Sequence, residues 1–131
     1  MSRGIRNHNP GNIRHGDKWQ GLRETQTDKS FCQFVSPEYG IRAMLKILRN
    51  YERKYGLNAI SQLITRWAPP NENNTENYIA YVCNAVGVAS SAVIDVNHQP
   101  TMISLVKAMI RMENGQQPYS DDVFTRAFEL L

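Results

Sequence analysis

Residues 101–115, TMISLVKAMIRMENG, decide how the rest of the chain is read. Met102, Leu105, Val106, Met109 and Ile110 recur at three- and four-residue spacing, so the segment is a helix with an apolar stripe that other elements must bury. Gly115, directly after Asn114, supplies its stop. One acid breaks the pattern. Glu113 follows Ile110, Met109 and Val106 on the same side of the helix, which brings a carboxylate out on the apolar face. It also lies in the last turn, where the negative end of the helix dipole disfavours a further negative charge. A carboxylate in that position is a candidate general acid. The structural alternative is a side chain that reaches solvent past the helix end, or that pairs with Arg111 or another arginine.

Upstream, the same periodic signal gives further helices. Ser36-Pro37-Glu38 is a helix start, with a cap, a proline at the first position and an acid in the first turn. Ile41, Met44, Leu45, Leu48 and Tyr51 continue it to Tyr55, and Gly56 ends it. A second helix runs from about Asn58 to Trp67 through Ile60, Leu63 and Ile64, closed by Pro69-Pro70. Asn74 or Thr75 caps a third, Glu76 to about Val86, with Ile79, Val82, Cys83 and Val86 as its stripe and Gly87 after it. Ser120-Asp121-Asp122 starts a short C-terminal helix reaching Leu131. Residues 1–36 lack a helical period, and Phe31-Cys32-Gln33-Phe34-Val35 alternates, which predicts a loop and a small β-hairpin. The predicted class is α+β, mostly α: a single domain over residues 1–131, with a hairpin lobe at 1–36 and about five helices over 37–131.

The chain has 131 residues, 41% of them apolar, and 15 Lys+Arg against 12 Asp+Glu, values that fit one globular domain and exclude a two-domain enzyme. No apolar run approaches the roughly 20 residues of a membrane helix, and MSRGIRNHNP lacks the apolar core of a signal peptide. Synthesis in the bacterial cytoplasm, with no membrane partner, is the expectation. The basic residues are scattered, so a nucleic-acid partner is not expected. Cys32 and Cys83 read as buried reduced thiols, poor settings for a nucleophile. His8, His15 and His98 have no metal-ligand spacing, and no cofactor loop is present, so no metal or cofactor is expected.

Several motifs carry a resemblance. Ala108 to Pro118, AMIRMENGQQP, resembles the helix-ending acid motif of lysozyme-like lytic transglycosylases, with Asn114 in place of the usual serine. Thr75-Glu76-Asn77-Tyr78-Ile79 is similar to their Thr-x-x-Tyr-Val helix, in which Tyr78 would support the acid. Asn9-Pro10-Gly11-Asn12-Ile13-Arg14, then Trp19-Gln20-Gly21, Phe31 to Phe34 and Tyr39-Gly40-Ile41, resembles the entry, turn, strand and helix start of bacterial glucosaminidase domains of the same superfamily. In those families the catalytic helix precedes the hairpin, whereas here the acid comes near the C-terminus, so the resemblance implies a circular permutation. Over nearly its full length, through RNHNPGNIR, RWAPPNEN and ENGQQPY, the chain is similar to small tailed-phage and prophage proteins described as virion structural proteins.

The resemblance implies a lysozyme-like phage enzyme that cuts peptidoglycan glycan strands, as a lytic transglycosylase or muramidase, with Glu113 as general acid and base. A second carboxylate, if hydrolysis needs one, would be Glu24, ahead of Asp17 and Glu72. Planar faces and amides for sugar come from Trp19, Trp67, Tyr119, Asn9, Asn12, Gln33 and Asn71, and Arg14 could hold Glu113 or a substrate carboxylate. The alternative is a noncatalytic virion structural or wall-binding protein, with other phage particle proteins as partners.

Overall fold

The computed structural model describes residues 1–131 and is mostly helical. Its elements are α1 (Arg3–Arg6), α2 (Pro37–Tyr55), α3 (Ile60–Trp67), α4 (Thr75–Val86), α5 (Gln99–Asn114) and α6 (Asp121–Glu129). The five longer helices stand where the apolar periods put them. Pro37 and Glu38 open α2, Arg53 and Lys54 sit in its last turn, and Gly56 follows. Acid at one end and base at the other complement the helix dipole. No helix is long and apolar enough to cross a membrane.

The residues group into two compact units. The first combines Met1–Lys46 with Ile110–Leu131, and the second is Ile47–Met109. The change of chain character at Ser36 therefore falls inside the first unit. Ile5, Phe34, Ile41, Met44, Leu45, Ile110 and Phe124 are buried in the first unit. Leu48, Ile60, Leu63, Ile64, Met102, Leu105 and Met109 are buried in the second, where α3 packs on α4.

Three features depart from the sequence reading. The predicted hairpin is replaced by isolated antiparallel bridges, Arg14 with Phe31 and Leu22 with Phe34. Residues 31–35 change partner at almost every step: the Cys32 N–H donates to the Ile13 carbonyl, Phe34 to Asn7 and Val35 to Gly21. A continuous ladder cannot form, because the Asn9 side chain takes the Cys32 carbonyl that a neighbouring strand would use. In α4 the buried side chains are Thr75, Tyr78 and Val82, while Ile79, Cys83 and Val86 are half-buried. The buried stripe is thus rotated toward the cap. Finally α1, a single turn capped by the Ser2 hydroxyl on the Ile5 N–H, is too short to give a periodic signal.

Caps behave as their chemistry demands. The Asn74 side chain accepts from the Asn77 N–H at 3.3 Å, which makes Asn74 the cap of α4. Asn74→Ala should destabilise the protein by about 1 kcal/mol, read as a lower urea midpoint at unchanged slope. At α3 the Gln62 side chain reaches back to accept from Asn58 and Ala59 N–H groups at 3.1 and 3.2 Å, doing the work of half a capping box.

Candidate active site

Glu113 sits half-buried in the last turn of α5, within the first unit. Facing it is the loop that follows α1. Asn9 organises that loop from the inside: its amide donates to the carbonyls of Ile13 and Cys32, both at 2.9 Å, and accepts from the Ile13 N–H at 3.0 Å. With its side chain thus engaged and 0% exposed, Asn9 shapes the loop from within and presents no amide at the surface. The turn puts His8 and Asn12 at φ 52° and 50°, left-handed values that asparagine tolerates better than most residues. So held, the Asn12 amide donates to Glu113 Oε1 at 3.3 Å, a contact between residues 101 positions apart.

The neighbouring Asn114 locks the helix end to the same loop. Its Oδ1 accepts from the Ser2 hydroxyl at 2.6 Å, and its Nδ2 donates to the carbonyls of Pro10 at 2.8 Å and Ile110 at 3.0 Å. Gly4 makes room for this corner. A carbon added at Gly4 would stand 2.6 Å from Asn114 Oδ1, 2.8 Å from Asn12 Oδ1 and 2.9 Å from the Asn9 carbonyl oxygen. Asn114 is therefore the anchor between α5 and the N-terminal loop.

Other candidate residues fall into distinct settings. Gln33 is buried; its oxygen accepts from the Thr27 N–H at 2.6 Å and its amide donates to Asn7 at 3.2 Å, so it too braces the loop. The Tyr119 ring meets Phe124 edge-on at 6.3 Å, and its hydroxyl is sealed from solvent without a hydrogen-bond partner. Burial pushes the Tyr119 hydroxyl up to about 12, and a sealed phenol offers a ligand no hydrogen bond through its oxygen, which leaves the planar face as what Tyr119 was expected to present. Trp19 is half-buried, with its indole nitrogen enclosed and unpartnered. Arg14 is exposed and lies over the Phe31 ring at 4.9 Å, with Arg3 over the same ring at 4.7 Å. Glu24 is exposed on the loop. In the second unit, Trp67 is half-buried on α3, Asn71 is exposed in the following turn, and Tyr78 is buried with its hydroxyl donating to the Met109 carbonyl at 3.5 Å.

Both cysteines are free, Cys32 buried and Cys83 half-buried. Cys32 Sγ lies 3.9 Å from His15 Nδ1, an arrangement that could suggest a nucleophile. The thiol is 1% exposed, and burial together with the charge of Asp17 raises its pKa, so it keeps its proton.

Asp28 was not singled out by the sequence reading. Its carboxylate accepts from Arg3 Nε and Nη2 at 2.7 and 2.6 Å, from the Asn7 amide at 2.9 Å, and from the N–H groups of Ser30 and Phe31 at 2.9 and 3.0 Å. The available signal was Asp28-Lys29-Ser30, an acid placed to bond the backbone two residues on. The Arg3 guanidinium, followed by the Phe31 N–H, holds the Asp28 carboxyl well below the usual carboxylate range. The charged form belongs to the folded state, so its contribution is full above about pH 4 and is lost as pH falls below that. Asp28→Asn should lower the neutral-pH melting temperature and flatten its acid decline between about pH 4 and pH 2, followed by circular dichroism.

A small helical chain with this acid-bearing corner belongs to a family of phage proteins. It is 45% identical over 132 residues to Protein P5 of Pseudoalteromonas phage PM2, covering 98% of this chain and 81% of that protein. No family model matches the sequence.

Proposed function

We propose that this phage protein cleaves the glycan strand of peptidoglycan, with Glu113 as general acid and base in a permuted lysozyme-like domain. The observation that carries the proposal is the Asn12 to Glu113 hydrogen bond, which joins the two motifs that the permuted order requires to meet. Support comes also from the rigidity of the corner. Ser2, Pro10 and Asn114 fix the helix end, so the carboxylate needs little reorganisation to reach a substrate.

Glu113 protonates the leaving glycosidic oxygen as the bond to the anomeric carbon breaks, and positive charge develops on the sugar. In the lytic route a hydroxyl of the same sugar attacks the anomeric carbon and returns its proton to Glu113, leaving an anhydro end. In the hydrolytic route water attacks instead, with Glu24 as the available second carboxylate. Trp19 and Asn12 supply stacking and amide contacts from the first unit, and within the second unit Tyr78 supports α5 through the Met109 carbonyl. Peptidoglycan is the partner, reached from the cytoplasm by lysis or from within a particle.

Membership in a phage family is compatible with one second reading, a noncatalytic component of the particle that contacts other particle proteins. The two readings separate in one assay. Purified protein added to dye-labelled sacculi should release soluble dye in proportion to enzyme concentration; folded protein that releases none from several wall types supports the particle reading.

A further inference from the structure

The second unit contains an open cleft of about 820 Å³ that the acid corner does not use. Tyr51 and Pro69 give it apolar walls, and Ser61, Gln62, Thr65 and Arg66, all on α3, give it a polar floor. The Arg66 guanidinium is held by rings, 3.9 Å from the centroid of Tyr55 and 5.5 Å from that of Tyr51. Ring faces fix a guanidinium without consuming its N–H donors, so the fork stays available to an anion. Gln62 is similarly prepared. Its oxygen is taken by the Asn58 and Ala59 N–H groups, which leaves its Nε2 donor for a ligand.

We infer that this cleft binds a carboxylate-bearing sugar. One planar fork matches one carboxylate in two parallel hydrogen bonds. The hydroxyls of Ser61 and Thr65 and the Gln62 amide match sugar hydroxyls and acetamido groups, and the tyrosine and proline surfaces match a pyranose face. Arg66 is the single cation among the lining residues, which disfavours a dianionic phosphate. The inference rests on the wall-glycan reading only in the choice of N-acetylmuramic acid as first probe.

The test is a titration of the ¹⁵N-labelled full chain with N-acetylmuramic acid, with galacturonic acid, and with N-acetylglucosamine, which lacks the carboxylate. None of these monosaccharides has a glycosidic bond to cut, so the outcome is independent of Glu113. Expected are amide shifts at 61–66, binding of the neutral sugar at least tenfold weaker, and a loss of about tenfold or more in Arg66→Met with partial recovery in Arg66→Lys. Tyr55→Ser, at a side chain 52% exposed, should also weaken binding and serves if Arg66→Met fails to fold. Galacturonic acid binding without N-acetylmuramic acid binding would support the inference with a polymer other than peptidoglycan as source. Equal binding of neutral and acidic sugars, shifts confined to other residues, or unaltered affinity in Arg66→Met would overturn it.

Discussion

Glu113→Gln should cut the rate of wall lysis by about 10²- to 10⁴-fold, the usual contribution of a positioned general acid. Glutamine keeps the shape of glutamate and still offers an oxygen to the Asn12 amide, so the loop stays in place. Stability should move by less than about 1 kcal/mol, because a near-isosteric amide at a half-buried site preserves the hydrogen bond. That combination of lost lysis and retained melting temperature is what a chemical role demands. Asn12→Ala should give a smaller loss, since it loosens the carboxylate without removing the proton donor.

Gly40→Ala should destabilise the protein by about 3 kcal/mol or more, although the same change inside an exposed helix normally stabilises. Gly40 is buried in the first turns of α2, and an added carbon would fall on the His8 carbonyl oxygen, with Pro10 Cδ 3.1 Å away. The obstacle is backbone, and that backbone cannot step aside. His8 is fixed in its left-handed conformation, and the Asn9 side chain ties the next turn to Ile13 and Cys32. Any fold that survives must shift residues 8–12 and withdraw Asn12 from Glu113, so residual lysis should fall with stability. Thermal unfolding of the variant beside the parent reads the first effect, and dye release at low temperature reads the second.

These two residues mark what the sequence could and could not convey. The helices were legible because their information is local. Leu105, Met109 and Ile110 declare a buried stripe by spacing alone, and Pro37, Gly87 and Gly115 punctuate the ends. Glu113 was legible for the same reason, as a charge out of place on an apolar period. The N-terminal 36 residues are less legible, because their order comes from side chains bonding distant backbone. Asn9, Asp28 and Gln33 look like ordinary loop residues in sequence, yet together they replace the hydrogen bonds of the predicted hairpin. Asn9 and Gln33, singled out in the sequence for their amides, are buried braces of this loop.

The pairing of Asn12 with Glu113 is not legible in the sequence, which offers Arg14 as the residue to hold Glu113, because no local rule joins positions so far apart; Arg14 lies over the Phe31 ring instead. The Asn12 to Glu113 pairing is also the feature on which the functional account turns. A corner held this way serves either chemistry or structure alone, and the product identifies which.

Mass spectrometry of the soluble fragments from purified peptidoglycan, wild type beside Glu113→Gln, is the most direct measurement. Glycan fragments with new anhydro or reducing ends are expected from the wild type and should be absent from the folded variant. Intact glycan with the wild-type protein, or the same fragments from both proteins, would contradict the assignment of Glu113 as the catalytic acid.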